Sequence, residues 1–266
     1  MKSLIIGGSG FVGGYLAEHL RSLGHRVIIT QMPGAETGIC KDSDTAWSEV
    51  YDLDILEKDA VWHLLNETEP DAVFHLAAQS SVAVSWENPQ LTMDVNIKGS
   101  TNVLEALRRL EKKPVILLVG SGEEYGKVSQ EEVPVKETKA TLPGNIYAAT
   151  KACQNRIGSI YAQAYGLKVI MVRAFNQIGP KQHPIYVAAD FCRQAAQIEA
   201  GIREAVIKTG NLEVKRDFTD VRDTVRAYAL LAEKGQAGET YNVGSGNAVS
   251  IREILQLVLD HTHVDI

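Results

Sequence analysis

The chain has 266 residues, 45% of them hydrophobic, with 27 basic against 33 acidic side chains and a formal net charge of -6. That length can bury a sizeable core in one large or two smaller domains, and the negative balance without a lysine- and arginine-rich cluster argues against a nucleic-acid-binding face. No apolar run is long enough to cross a bilayer, and the N-terminus enters a strand-like segment at residue 3 without the layout of a signal peptide, so a cytoplasmic protein is expected.

The first predicted strand, Ser3 to Ile6, runs straight into the string GGSGFVGGYLAEHL, with glycines at 7, 10 and 13 and apolar helix positions at Phe11, Leu16 and Leu20. Strand, glycine turn and helix in that order let backbone amides at a helix N-terminus approach a pyrophosphate, although an ordinary strand-to-helix turn has the same outline. The next apolar run, Val27 to Thr30, is the second strand of a βαβ unit. At its end stand Thr30, Gln31 and Met32. An acid that would hold the ribose hydroxyls of NAD is missing there, which leans toward NADP with NAD still possible.

Downstream, Tyr51-Asp52-Leu53-Asp54 and the run Ala72 to Ala78 continue the alternation, with a helix expected between them at Leu56 to Asn66. Asp52 or Asp54 suits an adenine amino group or is a surface acid. His75, on an apolar strand, reads as a core histidine rather than a catalytic one. Further strands are expected at Val115 to Val119 and Val169 to Ala174, and long helices at Pro89 to Leu110 and Asn145 to Tyr165. Apolar residues on more than one face of those helices, Val95, Ile97, Val103, Leu104, Ile157 and Ile160 among them, fit a homodimer or a buried core. The whole predicts an α/β protein with a mainly parallel sheet. From Asn176 onward the alternation loosens. The expected organisation is therefore a domain over 1–175 and a smaller lobe over 176–266, with 220–245 returning to the first.

Cys40, Cys153 and Cys192 are odd in number and far apart, as expected of reduced thiols, and the seven histidines show no metal-ligand spacing, so no metal is expected. The chemistry sits elsewhere. Tyr147 and Lys151, four residues apart in Tyr-Ala-Ala-Thr-Lys, share one helix face, and an ammonium one turn from a phenol favours its ionised form. The phenol then serves as a proton donor or acceptor to a carbinol or carbonyl oxygen. Alone the pair is a weak signal, because helices carry such spacing by chance. Ser121 follows the strand Val115 to Gly120, at the carboxyl end where ligands of open parallel sheets bind, though a strand-end turn serine is the plain alternative.

Together the glycine loop, His75-Leu76-Ala77-Ala78, Ser121 with Glu123 and Tyr125-Gly126, and Tyr147-x-x-x-Lys151 resemble the extended short-chain dehydrogenase/reductase family, which modifies nucleotide-activated sugars. The resemblance covers essentially the whole chain and implies a Rossmann-type doubly wound parallel sheet with a smaller C-terminal substrate-binding lobe. It implies Tyr147 as acid/base, Lys151 as its pKa setter and ribose anchor, and Ser121 as hydrogen-bond donor to the reacting oxygen. Gly7, Gly10, Phe11, Val12 and Gly13 would meet the cofactor's pyrophosphate end. Thr30, Asp52, Leu53, Leu76, Ala77 and Ala78 would line the rest of its path.

For the substrate, the resemblance implies Ser80, Ser121, Glu123, Asn176 in the string Arg173 to Pro180, and Arg216 in the string Gly210 to Asp223. An isolated Arg216 would otherwise read as a solvated surface charge. As whole strings, these segments and SGEEYG are most similar to reductases of GDP-4-dehydro-6-deoxy-D-mannose, which yield GDP-D-rhamnose. Glu123 stands where sugar-nucleotide 4,6-dehydratases place the base that removes a proton beside the ketone. A GDP-mannose 4,6-dehydratase therefore stays open, as do a UDP-sugar 4-epimerase and a dinucleotide-binding sensor without catalysis. Family members usually continue past the helix Ile251 to Leu259 with a segment bearing another arginine, and the sequence ends at Ile266, so an incomplete C-terminus is expected.

Overall fold

In the computed structural model the described residues are 1–34 and 49–266; Cys40 lies outside them. The apolar runs of the sequence become β1 (Lys2–Ile6), β2 (Arg26–Gln31), β4 (Ala72–His75), β5 (Val115–Val119) and β6 (Lys168–Ala174). With the short β3 (Val50–Asp52) and β9 (Thr240–Val243), they make a seven-stranded sheet in the order β3-β2-β1-β4-β5-β6-β9, with every pairing parallel. This is the order of a Rossmann-type sheet. The chain leaves β1 on one side toward β2 and returns on the other at β4, so the crevice for a ligand opens at the carboxyl ends of β1 and β4.

Near-continuous burial along the strands follows from helices on both faces, because successive side chains point opposite ways. Leu4 and Ile6 join a core with Val61 and Leu65 of α2 (Lys58–Thr68) and Val103, Leu104 and Leu107 of α5 (Ser100–Arg109). On α1 (Phe11–Ser22), which packs against β1 and β2, Leu16, Ala17 and Leu20 are buried. Helix α2 begins two residues later than its apolar spacing suggests, because the Asp54 carboxylate first turns the chain by accepting from the Leu56 amide at 2.9 Å.

The expected single helix Pro89 to Leu110 is a series of pieces. The short α3 (Val82–Glu87) and α4 (Pro89–Met93) lead into a π-helical turn at Asp94–Gly99 and then α5. The cause is tertiary: fully buried Asn96 accepts from the Gln79 amide at 2.9 Å and donates to the Gln79 carbonyl at 3.0 Å, bonds that a regular helix would not place there. Helix α6 (Ile146–Tyr165) starts on a real cap, the Asn145 side chain accepting from the Ala148 amide at 2.8 Å, and ends on left-handed Gly166.

The chain divides into two compact units, Met1–Phe175 with Arg222–Val243, and Asn176–Val221 with Gly244–Ile266. Most of α8 (Val221–Lys234) belongs to the first. The second holds a three-stranded sheet of β7 (Asn176–Ile178), β8 (Lys215–Asp220) and β10 (Ala248–Ser250), in which β8 runs parallel to β7 and antiparallel to β10. Its helices are α7 (Val187–Glu199) and α9 (Ile251–Asp260), and its core gathers Phe191, Ile251 and Ile254 with Phe218 and Val249. No helix among the described residues is long and apolar enough to cross a membrane.

Candidate active site

Two turns at strand ends of the first unit, after β1 and after β5, carry part of the residues singled out by sequence. After β1, Gly7 takes a φ of +86°, which favours glycine, and a Cβ built there would lie 2.7 Å from the Ala77 amide nitrogen. The small residues that follow β4 are thus needed where the two strand ends meet: the amides of Leu76 and Ala77 both donate to the Ile6 carbonyl at 2.9 Å. A Cβ at Gly13 would fall 2.6 Å from the Gly7 oxygen and from Gly8 backbone atoms. Buried Thr30 closes the turn by accepting from the Gly7 amide at 3.0 Å.

Helix α1 is capped by Gly10, which has no side chain to satisfy the first-turn amides. Such a cradle of donors at a helix N-terminus fits a dinucleotide pyrophosphate. At the far end of the path, Gln31 donates through Nε2 to the Asp52 carboxylate at 2.9 Å, while its Oε1 is buried and accepts no hydrogen bond among the described residues. An acid therefore does stand beside the tip of β2, one strand over. Leu53 is buried next to it, Phe11 and Val12 are half-buried, and Asp54 is occupied with the Leu56 amide.

After β5, Ser121 is buried and opens a 3-10 turn, Gly122–Tyr125. Its Oγ accepts from the Glu123 amide at 3.2 Å. Several bonds tie this end of the sheet to α6, among them Asn145 Nδ2 donating to Glu123 at 3.2 Å and Gln154 Nε2 donating to the Val119 carbonyl at 3.1 Å. The Ser121 turn is thereby held beside the first turns of α6, where Tyr147 is half-buried and Lys151 is buried one turn on.

The Lys151 ammonium donates to Gln154 Oε1 at 2.8 Å. Burial pulls its pKa down to about 8, with the Glu124 carboxylate acting the other way. An ammonium this poorly solvated exerts a strong field on a neighbouring phenol. Thr150 anchors the same turn, donating to the Tyr147 carbonyl at 2.7 Å and accepting from Asn96 at 2.9 Å. Through Asn96 the segment after β4 is pinned to the Tyr147 helix, which fixes where Ala77, Ala78 and exposed Ser80 lie.

In the second unit, Asn176 opens β7 opposite Phe218, and exposed Arg216 lies on β8 opposite Val249, its Nη1 donating to the Lys215 carbonyl at 2.9 Å. Sequence reasoning missed Asn96, Thr150 and Gln154, whose types and spacing carry no motif. It also missed Glu124, for which a signal existed: Ser-x-x-Glu across 121 to 124 is a capping box, and the structure forms it.

The sequence profile of the GDP-mannose 4,6-dehydratase family matches residues 4–266. The chain is 32% identical over 268 residues to the GDP-6-deoxy-D-mannose reductase of Pseudomonas aeruginosa, covering 100% of this chain and 81% of that protein. It is 28% identical over 276 residues to a GDP-mannose 4,6-dehydratase of Yersinia enterocolitica, covering 100% and 73%. The structure of RMD from Pseudomonas aeruginosa complexed with NADPH matches with a TM-score of 0.86 at 32% identity over 100% of this chain and 84% of that one. UDP-glucose 4-epimerase from Thermotoga maritima with UDP-glucose matches with a TM-score of 0.88 at 30% identity, again over 100% and 84%. The resemblance read from the glycine loop, Ser121 and the Tyr147 and Lys151 pair is borne out: the chain belongs to the GDP-mannose 4,6-dehydratase family of extended short-chain dehydrogenases/reductases, NAD(P)-dependent oxidoreductases of sugar nucleotides.

Proposed function

We propose that this protein reduces the 4-keto group of GDP-4-dehydro-6-deoxy-D-mannose to GDP-D-rhamnose, with NADPH as the preferred cofactor. The observation that carries the reading is the buried Lys151 ammonium one turn from Tyr147, on a helix that Gln154 ties to the strand end bearing Ser121. Similarity to the Pseudomonas aeruginosa reductase along the whole chain supports the choice of reaction.

The glycine turn of residues 7, 10 and 13, the start of α1 at Phe11 and Val12, and Thr30, Asp52, Leu53, Leu76, Ala77 and Ala78 would hold the dinucleotide. When bound, it supplies a hydride to the sugar's carbonyl carbon. Tyr147 delivers the proton to the carbonyl oxygen as charge builds there, and Ser121 donates a hydrogen bond to the same oxygen. Lys151 stabilises the phenolate left on Tyr147. Asn176 and Arg216 are assigned to the nucleotide end of the substrate, where a guanidinium fork suits phosphate. The absence of an acid on β2 itself supports NADPH, and the Asp52 carboxylate held by Gln31 is the feature that would favour NADH; titrating both cofactors separates them. The reading also places the enzyme in the cytoplasm as a homodimer, for which the exposed Leu91, Met93 and Ile160 offer apolar surface.

A second reading has its own observation. Glu123 is held on the Ser121 turn by Asn145, a position from which a carboxylate could remove the proton beside a ketone, as a dehydratase requires. Nicotinamide absorbance decides. Mixing the protein with NADPH and the keto-sugar should consume cofactor stoichiometrically, and Tyr147→Phe should lower that rate at least about 100-fold with the fold intact. A Tyr147→Phe rate equal to wild type would remove the acid/base assignment. Conversion of GDP-mannose to the keto-sugar without net cofactor loss would instead make Glu123 a base and the protein a dehydratase.

A further inference from the structure

The acid beside Glu123 is the more deeply built of the two. Glu124 is 0% exposed, and its carboxylate gathers three donors from three elements. Oε1 accepts from the Ser121 amide at 2.8 Å and from Asn155 Nδ2 of α6 at 2.8 Å, and Oε2 accepts from Arg173 Nε of β6 at 3.2 Å. The junction is tight enough to exclude a methyl group: a Cβ at Gly120 would lie 2.2 Å from both Asn155 Nδ2 and Glu124 Oε1.

Behind the carboxylate, Arg173 stacks over the Tyr125 ring, its guanidinium carbon 4.7 Å from the centroid, and donates through Nη1 to the Tyr125 hydroxyl at 2.9 Å. Tyr125 in turn donates to Asn242 on β9 at 2.7 Å. One buried carboxylate therefore joins the Ser121 turn to α6 and, through Arg173, to the far strands of the sheet. Burying an acid is expensive, and a well-packed apolar side chain often stabilises such a site as well or better. Packing stability alone is a poor reason for an acid at 124.

We propose that Glu124 is a positioning residue: it fixes the Ser121 backbone against α6, and so sets the Ser121 hydroxyl relative to Tyr147 and Lys151. The proposal rests on the reductase reading for the role of Ser121. Burial raises the Glu124 carboxyl pKa while the Ser121 amide, Arg173 and Asn155 lower it, and its charge helps retain the Lys151 proton.

The test compares Glu124→Gln and Glu124→Leu, each alone and combined with Ser121→Ala, in the full chain. A glutamine keeps an acceptor for the Ser121 amide but meets Arg173 with a carboxamide; a leucine abandons all three donors. Glu124→Leu should lower kcat about 30-fold with the KM for cofactor within about twofold, and Glu124→Gln should recover kcat to within about threefold of wild type. In the Ser121→Ala background, Glu124→Leu should cost no more than about threefold further, because its effect runs through the hydroxyl already removed.

Full multiplication of the two losses, or no kcat loss in any Glu124 variant, would overturn the proposal. The Ser121 amide signal in a nitrogen-15 spectrum gives a readout that needs no turnover and covers the case of a leucine variant that fails to fold. In Glu124→Gln that proton should shift upfield and exchange faster with solvent, and an unmoved signal overturns the assignment. If the wild type consumes no cofactor with the keto-sugar, the reductase reading falls, while the same amide signal still decides whether Glu124 holds the Ser121 turn.

Discussion

The turns after β1 and after β5 both leave the carboxyl end of the same parallel sheet, yet they are built on opposite principles. The first is made by removing side chains: Gly7 and Gly13 have backbone where a Cβ would stand, and α1 begins on a glycine cap with its amides unclaimed by any side-chain cap. The second is made by adding them: Ser121 takes up the Glu123 amide, Glu124 takes up the Ser121 amide, and Asn155 and Arg173 complete the carboxylate. A turn that leaves its donors open suits an anionic ligand from outside. A turn that satisfies its own backbone leaves side chains held in one geometry for chemistry. The first should therefore fail through volume and the second through charge and hydrogen bonding.

The largest effect that could break this contrast is at Gly13. Its three nearest neighbours for an added Cβ are all backbone atoms at 2.6 Å, so nothing flexible can move aside. Gly13→Ala should weaken dinucleotide binding at least about 100-fold and cost about 2–4 kcal/mol in unfolding free energy. At Gly10 the nearest atom lies at 3.4 Å, and Gly10→Ala should weaken binding about tenfold or less. Fluorescence titration with cofactor and denaturant midpoints of the two variants provide the comparison. Equal losses at the two glycines would remove the steric account of the first turn.

The next effect lies on the charged side. Lys151 has a folded-state pKa of about 8, below its ordinary 10.5, so between those values the unfolded chain binds a proton that the native state does not. The contribution of this group to stability is present above 10.5 and is lost as pH falls through about 8. Catalysis runs the other way, because the phenolate of Tyr147 needs the ammonium and deprotonation depletes it. kcat/KM, which reports the free enzyme, should fall above about pH 8 while the Lys151 share of stability rises. Lys151→Met should abolish the alkaline limb, lower kcat at least about 100-fold, and flatten the stability difference between pH 7.5 and 9.5. A kcat/KM limb that persists in Lys151→Met would assign it to another group.

What sequence could and could not reveal divides along the same line. Strands β1, β2, β4, β5 and β6 were legible because each is an apolar run largely buried between the helix layers, and the glycine turn because its spacing records a steric demand of the backbone itself; β3 and β9, short and only partly buried, carry no such run. Tyr147 and Lys151 were legible because a helix repeats nearly every four residues. The π-helical turn at Asp94–Gly99 was not, since its cause is Asn96 reaching Gln79 and Thr150, contacts 17 and 54 residues away that leave no local period. Asn155 and Gln154 were hidden for the same reason. In the second unit, β7 and β10 have three residues each, too short for alternation to register, and β10 is set by pairing with β8 across more than twenty residues of chain. The pairing of Asp52 with Gln31 was hidden too, because the two become neighbours only when β2 and β3 align.

The smallest effect concerns the group that lies between structure and chemistry. His75 Nε2 lies 2.9 Å from Ser100 Oγ, which donates at 3.2 Å to Gln154 Oε1, the acceptor of the Lys151 ammonium. His75 is nevertheless buried, and burial followed by the Lys151 charge pushes its pKa down to about 3, so it remains a neutral core side chain at neutral pH. An unfolded histidine protonates near its ordinary 6.5, so the stability carried by neutral His75 is complete above 6.5 and is lost as pH falls toward 3. Its Nδ1 has no hydrogen-bond partner among the described residues, which makes an apolar replacement tolerable. His75→Leu should change kcat at neutral pH less than about threefold and unfolding free energy by about 1 kcal/mol or less. The variant should also lose less stability than wild type between pH 7 and 5, measured by denaturant midpoints. A kcat loss in His75→Leu approaching that of Lys151→Met would extend the proton-handling side of the site through Ser100 to the core of the sheet, and the division between a turn built on volume and a turn built on charge would then have to include β4.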